Sequence, residues 1–225
     1  QCFQTGLAIG ADCNGVPLNA VRYDSPTFAG FSVSASWGED DFWDVAARYA
    51  GEFNGVKLAV AAAYSHSSDE NTLGTVLGVE KDVGYFQIGA YVQHVPTGLF
   101  LYGAYGREDI EARNLAGANL VLGEDNPDHW YIKAGLRRRF NDLGHTVLYG
   151  EYGEHNDMGV LAVSTAGTSS NMERWGLGVV QEVDAAAMSL WLSYRHHEGD
   201  ERSALGAKTK FDEFDLIKFG ALINF

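Results

Sequence analysis

Asp215-Leu-Ile-Lys-Phe-Gly-Ala-Leu-Ile-Asn-Phe225 closes the sequence. Counted back from Phe225 in steps of two, the residues are Ile223, Ala221, Phe219 and Ile217, all apolar. The positions between them are Asn224, Leu222, Gly220 and Lys218. Period-2 alternation of this kind belongs to a β-strand with one apolar face. A strand that ends on an aromatic, with apolar residues behind it, fits one that faces lipid on alternate positions and stops at the membrane interface. The expectation from this stretch is a transmembrane β-barrel.

Working outward, companion strands are found along the whole chain. In Phe31-Ser-Val-Ser-Ala-Ser-Trp37, Phe31, Val33, Ala35 and Trp37 oppose Ser32, Ser34 and Ser36. From Val56 to Ser65, Val56, Leu58, Val60, Ala62 and Tyr64 oppose Lys57, Ala59, Ala61, Ala63 and Ser65. Small and polar second faces suit a hydrated wall better than the core of a sandwich. About eleven such strands are predicted: 20–25, 31–37, 43–53, 56–65, 85–95, 99–106, 129–140, 145–153, 172–183, 188–196 and 215–225. Tight turns are read at 26–30, 54–55, 96–98, 141–144 and 184–187, with Asn54-Gly55 the strongest hairpin signal. Mostly long polar connections are read between them, at 66–82, 107–128, 154–171 and 197–212. Short turns on one side and long loops on the other is the asymmetry of an outer-membrane barrel, and a β-sandwich has no reason to segregate them. Residues 1–19 carry no sustained period and read as a loop entering the first strand.

Composition narrows the function classes. Of 225 residues, 12% are aromatic and 27 are Gly while only 4 are Pro, which favours twisted antiparallel sheet with interfacial aromatic rings. A net charge of −14 argues against nucleic-acid binding. No apolar run approaches the ~20 residues of a transmembrane helix. The sequence starts at Gln1 with no basic n-region or apolar h-region, so a secretory signal is expected to have been removed or to lie outside it. No nucleophile elbow, phosphate loop, H-E-x-x-H or C-x-x-C motif is present, and no enzymatic activity is expected.

The stretch Val21-Arg-Tyr-Asp-Ser-Pro-Thr-Phe-Ala-Gly-Phe31 resembles the hairpin that follows the constriction loop in general diffusion porins of Gram-negative bacteria, which also end in a strand with a terminal Phe. The resemblance runs from about Asn19 to the C-terminus. It implies a roughly 16-stranded antiparallel barrel, integral to the outer membrane and usually trimeric, with short periplasmic turns, long external loops and one loop folded inward to narrow the pore. It implies contact with lipid and lipopolysaccharide, a homotrimer, and passive diffusion of ions and small hydrophilic solutes without a cofactor. The alternative is a closed-lumen barrel acting as an envelope anchor or surface receptor. Against that pattern, about eleven strands is too few. Residues 1–19 are then expected to be a remnant of the constriction loop, and roughly five strands to be missing.

For a pore, the chemistry is a charged, hydrated lumen. Parity assigns Arg22, Asp24, Asp44, Arg48, Lys57, Lys133, Arg137, Arg139, Arg174, Arg195 and Lys218 to the lumen-facing side. One of these cations facing lipid at mid-bilayer would cost about 2–4 kcal/mol. The readings that stay open are a basic wall whose field orients solutes, with Arg22 and Arg48 foremost, and a wall stiffened by ion pairs. Cys2 and Cys13 could form a disulfide or remain free thiols. The acidic segments 38–41, 68–71, 107–111, 124–128 and 199–202 are read as solvated loop charge or as Ca²⁺ or Mg²⁺ sites, none with EF-hand spacing. His196 and His197, adjacent on a strand, point to opposite faces and cannot share a metal ion. Gly176 and Gly178 are expected to relieve crowding in the sheet. Phe28, Phe31, Trp37, Trp43, Tyr49, Phe53, Tyr64 and Phe225 read as interfacial girdles.

Overall fold

The computed structural model describes residues 19–39, 41–69, 79–114, 126–157, 169–203 and 205–224. The predicted loop over 1–19 and the Cys2 and Cys13 pair lie outside the described residues, apart from Asn19, and so does Phe225. Alternating segments become strands because a pleated chain with one apolar face can satisfy its backbone only by pairing laterally. The strands are β1 (Ala20–Asp24), β2 (Phe31–Gly38), β3 (Trp43–Phe53), β4 (Val56–Asp69), β5 (Val79–His94), β6 (Leu99–Asn114), β7 (Asp128–Asn141), β8 (Gly144–Asn156), β9 (Ser169–Val183), β10 (Met188–Arg202), β11 (Lys208–Lys210) and β12 (Phe214–Ile223).

All of them join one antiparallel sheet in which sequence neighbours are lateral neighbours. The number is twelve rather than about eleven because the last lane is broken: β11 and β12 both pair with β10, over Asp200–Arg202 and Met188–His197 respectively. Eleven lanes remain, as the alternation predicts. Among the described residues, β1 and the β11/β12 lane are the two ends of the sheet and do not pair with each other.

The predicted tight turns are found. Asn54 and Gly55 both adopt positive φ, 48° and 76°, as a two-residue hairpin turn between right-twisted strands requires. Asp184–Ala186 form a single 3-10 turn, and Ala187 sits in the left-handed region.

At the other end the predicted loops are too long, and this is the main correction. Residues 107–111 belong to β6 and 199–202 to β10; β4 and β5 likewise extend into the expected 66–82 connection. Expected metal-binding or solvated loops at 107–111 and 199–202 are therefore strand segments, in which successive side chains point to opposite faces. In these extensions charged residues occupy both faces, so the hydropathy period vanishes while the backbone ladder continues. Among the described residues, no three His, Cys, Asp or Glu side chains converge on a point that could hold a metal ion.

Candidate functional site

Ladder partners lie side by side on one face, so register carries the face assignment from strand to strand. One row runs Ser36, Asp44, Ser65, Tyr85, Glu108 across β2 to β6. Another runs Tyr102, Lys133, Glu151, Gly176, Arg195 across β6 to β10. Followed in this way, Arg22, Asp24, Asp44, Arg48, Lys57, Lys133, Arg137, Arg174, Arg195 and Lys218 all fall on the same polar face. Arg139 follows Arg137 at the irregular end of β7.

The opposite face is apolar and uncharged across its middle. Trp37 is 75% exposed, Leu177 61% and Phe219 80%, values that make sense only against a nonaqueous medium or a partner surface. Between Val56 and Tyr64, β4 advances about 27 Å at ~3.4 Å per residue, enough for a tilted strand to cross the hydrocarbon layer. Aromatic pairs stand at one border of this band: Trp43 with Tyr64 (5.4 Å), Trp130 with Tyr152 (5.3 Å) and Trp175 with Tyr194 (5.5 Å between ring centres). Phe31 and Tyr49 pair at 4.4 Å toward the tight-turn end.

The charges of the polar face fall into three groups. Across β1 to β3, Arg22 donates to both oxygens of Asp24 at 2.9 and 2.8 Å, Arg48 donates to Ser34 Oγ at 2.9 Å, and Ser36 donates to Asp44. The four residues expected there are thus brought together, with cations and carboxylates interleaved. At the tight-turn end Arg137 forms a two-pronged pair with Glu182 at 3.0 and 2.7 Å, and Arg139 pairs with Asp184.

The third group, in the middle of β7 to β10, is centred on a residue that sequence reasoning missed. Glu151 keeps 1% of its side chain exposed and accepts from Tyr131 Oη at 2.5 Å and Arg195 Nε at 2.5 Å, with Lys133 Nζ at 3.5 Å. Lys133 also sits 4.3 Å from the centre of the Tyr149 ring, and Arg174 lies 5.1 Å from that of Tyr131. A Cβ on Gly176 would stand 3.1 Å from Arg195 Cγ and 3.2 Å from Glu151 Oε1, so Arg195 reaches Glu151 by passing over a residue without a side chain. Gly178 likewise leaves room for the Tyr149 ring, so both glycines relieve crowding as expected. The signal for Glu151 was its parity, shared with Tyr149 on its own strand and matched by Lys133 and Arg195 on others.

Lys57 and Lys218 make no close ion pair among the described residues; in the ladder Lys57 stands between Glu52 and Gln93, and Lys218 opposite Ser193. His196 and His197 do diverge: His196 Nδ1 meets Asp215 at 2.8 Å on the apolar side, while His197 stands on the polar face opposite Arg174. The face is therefore polar and of mixed sign, with many of its charges cross-linked by ion pairs. What such a surface can do chemically is attract and orient charged groups.

A family model described as Gram-negative porin matches residues 4–221. OmpT of Vibrio cholerae, expressed in the outer membrane, superimposes with a TM-score of 0.54 and 16% identity, covering 90% of this chain and 63% of its own. OmpT of Vibrio cholerae folded in vitro, in its trimer form, gives a TM-score of 0.51 and 17% identity, covering 90% of this chain and 62% of its own. The chain thus spans just under two thirds of those structures, and at this identity the likeness is one of fold, that of an outer-membrane β-barrel. No curated protein matches the sequence.

Proposed function

The chain belongs to the Gram-negative porin family and is integral to the outer membrane, and from that premise we propose that it forms part of the wall of a water-filled channel for passive diffusion of ions and small hydrophilic solutes. The observation that carries the reading is the division of the sheet into two faces. Every strand cation predicted for the lumen lies on one face, and the middle of the other face is uncharged. Lipid accepts the second face and water requires the first. Small residues on the polar face, such as Ser32, Ala59 and Ala61, leave space for solvent instead of interdigitating as a packed core would. In this reading the tight turns are periplasmic, the long connections external, and the apolar face meets lipid, lipopolysaccharide and the neighbouring subunits of a trimer. Transport needs no catalytic group and no cofactor. The selection of solutes rests on the width and charge of the lumen, to which Arg22, Asp24, Asp44 and Arg48 contribute one patch and the Glu151 group another. Single-channel recording of the full-length protein in planar bilayers tests the proposal: steady ohmic conductance is expected, and a protein that inserts without conducting would reject it.

A further inference from the structure

Arg174 differs from the other arginines of its side of the wall. Arg137, Arg139 and Arg195 each end on a carboxylate, whereas Arg174 makes no hydrogen bond or ion pair among the described residues. Its Nε is buried without a partner, which leaves the terminal nitrogens of the guanidinium as its only outlet for donation. In the ladder Arg174 stands between Gly153 on β8 and His197 on β10. Because Gly153 has no side chain, the Tyr131 ring of β7 leans over that position, with its Cδ2 3.2 Å from where a Cβ would stand, and the Arg174 guanidinium lies over that ring, 5.1 Å from its centre. Stacking fixes the plane of the guanidinium without neutralising it.

The nearest carboxylate cannot serve it. Glu151 is already shared by Arg195, Lys133 and the Tyr131 hydroxyl, so this patch sets three cations against one carboxylate. Glu108, the other buried carboxylate of the polar face, stands three strands away on β6 beside Tyr85. The patch is locally cationic in a chain of net charge −14. A half-buried guanidinium held against a ring, whose terminal donors make no hydrogen bond among the described residues, has the geometry that pairs with an oxyanion.

We infer that Arg174, stacked on Tyr131 and flanked by His197, is a transient docking point for small solutes that carry a carboxylate or phosphate group. The inference rests on the pore reading, since the polar face must be open to diffusing solutes. It adds to that reading a defined halt for anions near the level of the Trp175 and Tyr194 border. Occupancy is brief, because one half-buried guanidinium and a neighbouring imidazole supply few contacts.

The test uses the full-length protein, with succinate and inorganic phosphate as probes and glucose as an uncharged control. In single-channel recordings, succinate or phosphate is expected to produce brief current interruptions that glucose does not. In Arg174→Gln their dwell time should fall about tenfold, the factor that loss of one charge-assisted hydrogen bond brings. Arg174→Lys keeps the charge but loses the planar fork and should fall in between. Arg138→Gln, on the apolar face near the tight turns, should leave the interruptions unchanged. Equilibrium dialysis of labelled succinate against the detergent-solubilised protein reads the same site without requiring conduction, so failure of the pore reading and failure of this inference separate. Equal dwell times and equal succinate binding in wild type and Arg174→Gln would overturn the inference, whereas loss of both in the variant supports it. Native gel mobility of each variant establishes that it has folded.

Discussion

Arg195 on β10 donates to Glu151 on β8 at 2.5 Å, across the intervening strand β9. This strand-skipping contact passes over Gly176, where a side chain would crowd Arg195, and it ties three lanes of the wall together on the polar face. A second strand-skipping contact stands at the tight-turn end, where Arg137 on β7 reaches Glu182 on β9 past Val147 of β8, without a glycine between them. Charge on this face therefore does two things at once. It makes this face polar, and it cross-braces strands that have only a thin layer of side chains behind them.

Removing the shared carboxylate should be costly. Glu151→Ala leaves Arg195 and Lys133 without their counter-charge and the Tyr131 hydroxyl without its acceptor. Both cations retain about a quarter of their surface in contact with solvent. The expected loss is therefore near the lower end for a broken buried pair, about 3 kcal/mol. Glu151→Gln should cost less, since it keeps an acceptor for Tyr131. Urea-unfolding midpoints of the detergent-solubilised protein measure both, and the surviving channels should shift toward anion preference.

Filling the gap beneath Arg195 should also destabilise. A Cβ at position 176 would sit 2.6 Å from the carbonyl oxygen of Tyr194, so backbone must move for Gly176→Ala to fit. Overpacking of this kind costs about 1–3 kcal/mol. The heat-modifiable gel transition should move down accordingly, and an unshifted transition would show that β9 and β10 can separate freely.

The lane count, the tight turns and the face of every candidate cation were legible in the sequence, because all three follow from period-2 alternation and turn chemistry. Lys57 and Lys218 can be placed by counting from their apolar neighbours alone. The strand ends were not legible. From Arg107 to Glu111 neither face is apolar, so β6 reads as loop although its backbone continues to pair with β5. Glu151 escaped notice for a different reason. Its importance lies in partners on β7 and β10, and lateral register is invisible to a reading that goes along one strand at a time. The double pairing of β10 with β11 and β12 was hidden for the same reason.

Charge on the two faces should have opposite consequences. Leu177→Arg places a cation on the apolar face at mid-strand, where about 2–4 kcal/mol of destabilisation is expected. Ala61→Arg places the same residue on the polar face and should change folding little while altering conductance. Refolding yields into lipid vesicles distinguish the pair, and equal penalties would remove the distinction between the faces.

The turn at Asn54-Gly55 should tolerate little. Asn54 has φ of 48°, and a β-branched residue there pays about 1–2 kcal/mol relative to residues that visit this region. Asn54→Val should lower the unfolding midpoint by that amount, whereas Asn54→Gly should be close to neutral.

The two-faced wall is the central claim, and adjacent residues of β4 test it most directly. In a background with Cys2 and Cys13 replaced by Ser, Ala61→Cys puts a thiol on the polar face and Ala62→Cys puts one on the apolar face. A membrane-impermeant, charged thiol reagent is added during planar-bilayer recording. The predicted result is a stepwise fall in single-channel current for Ala61→Cys and none for Ala62→Cys. Modification of Ala62→Cys with a matching change in current, while Ala61→Cys stays inert, would contradict the account.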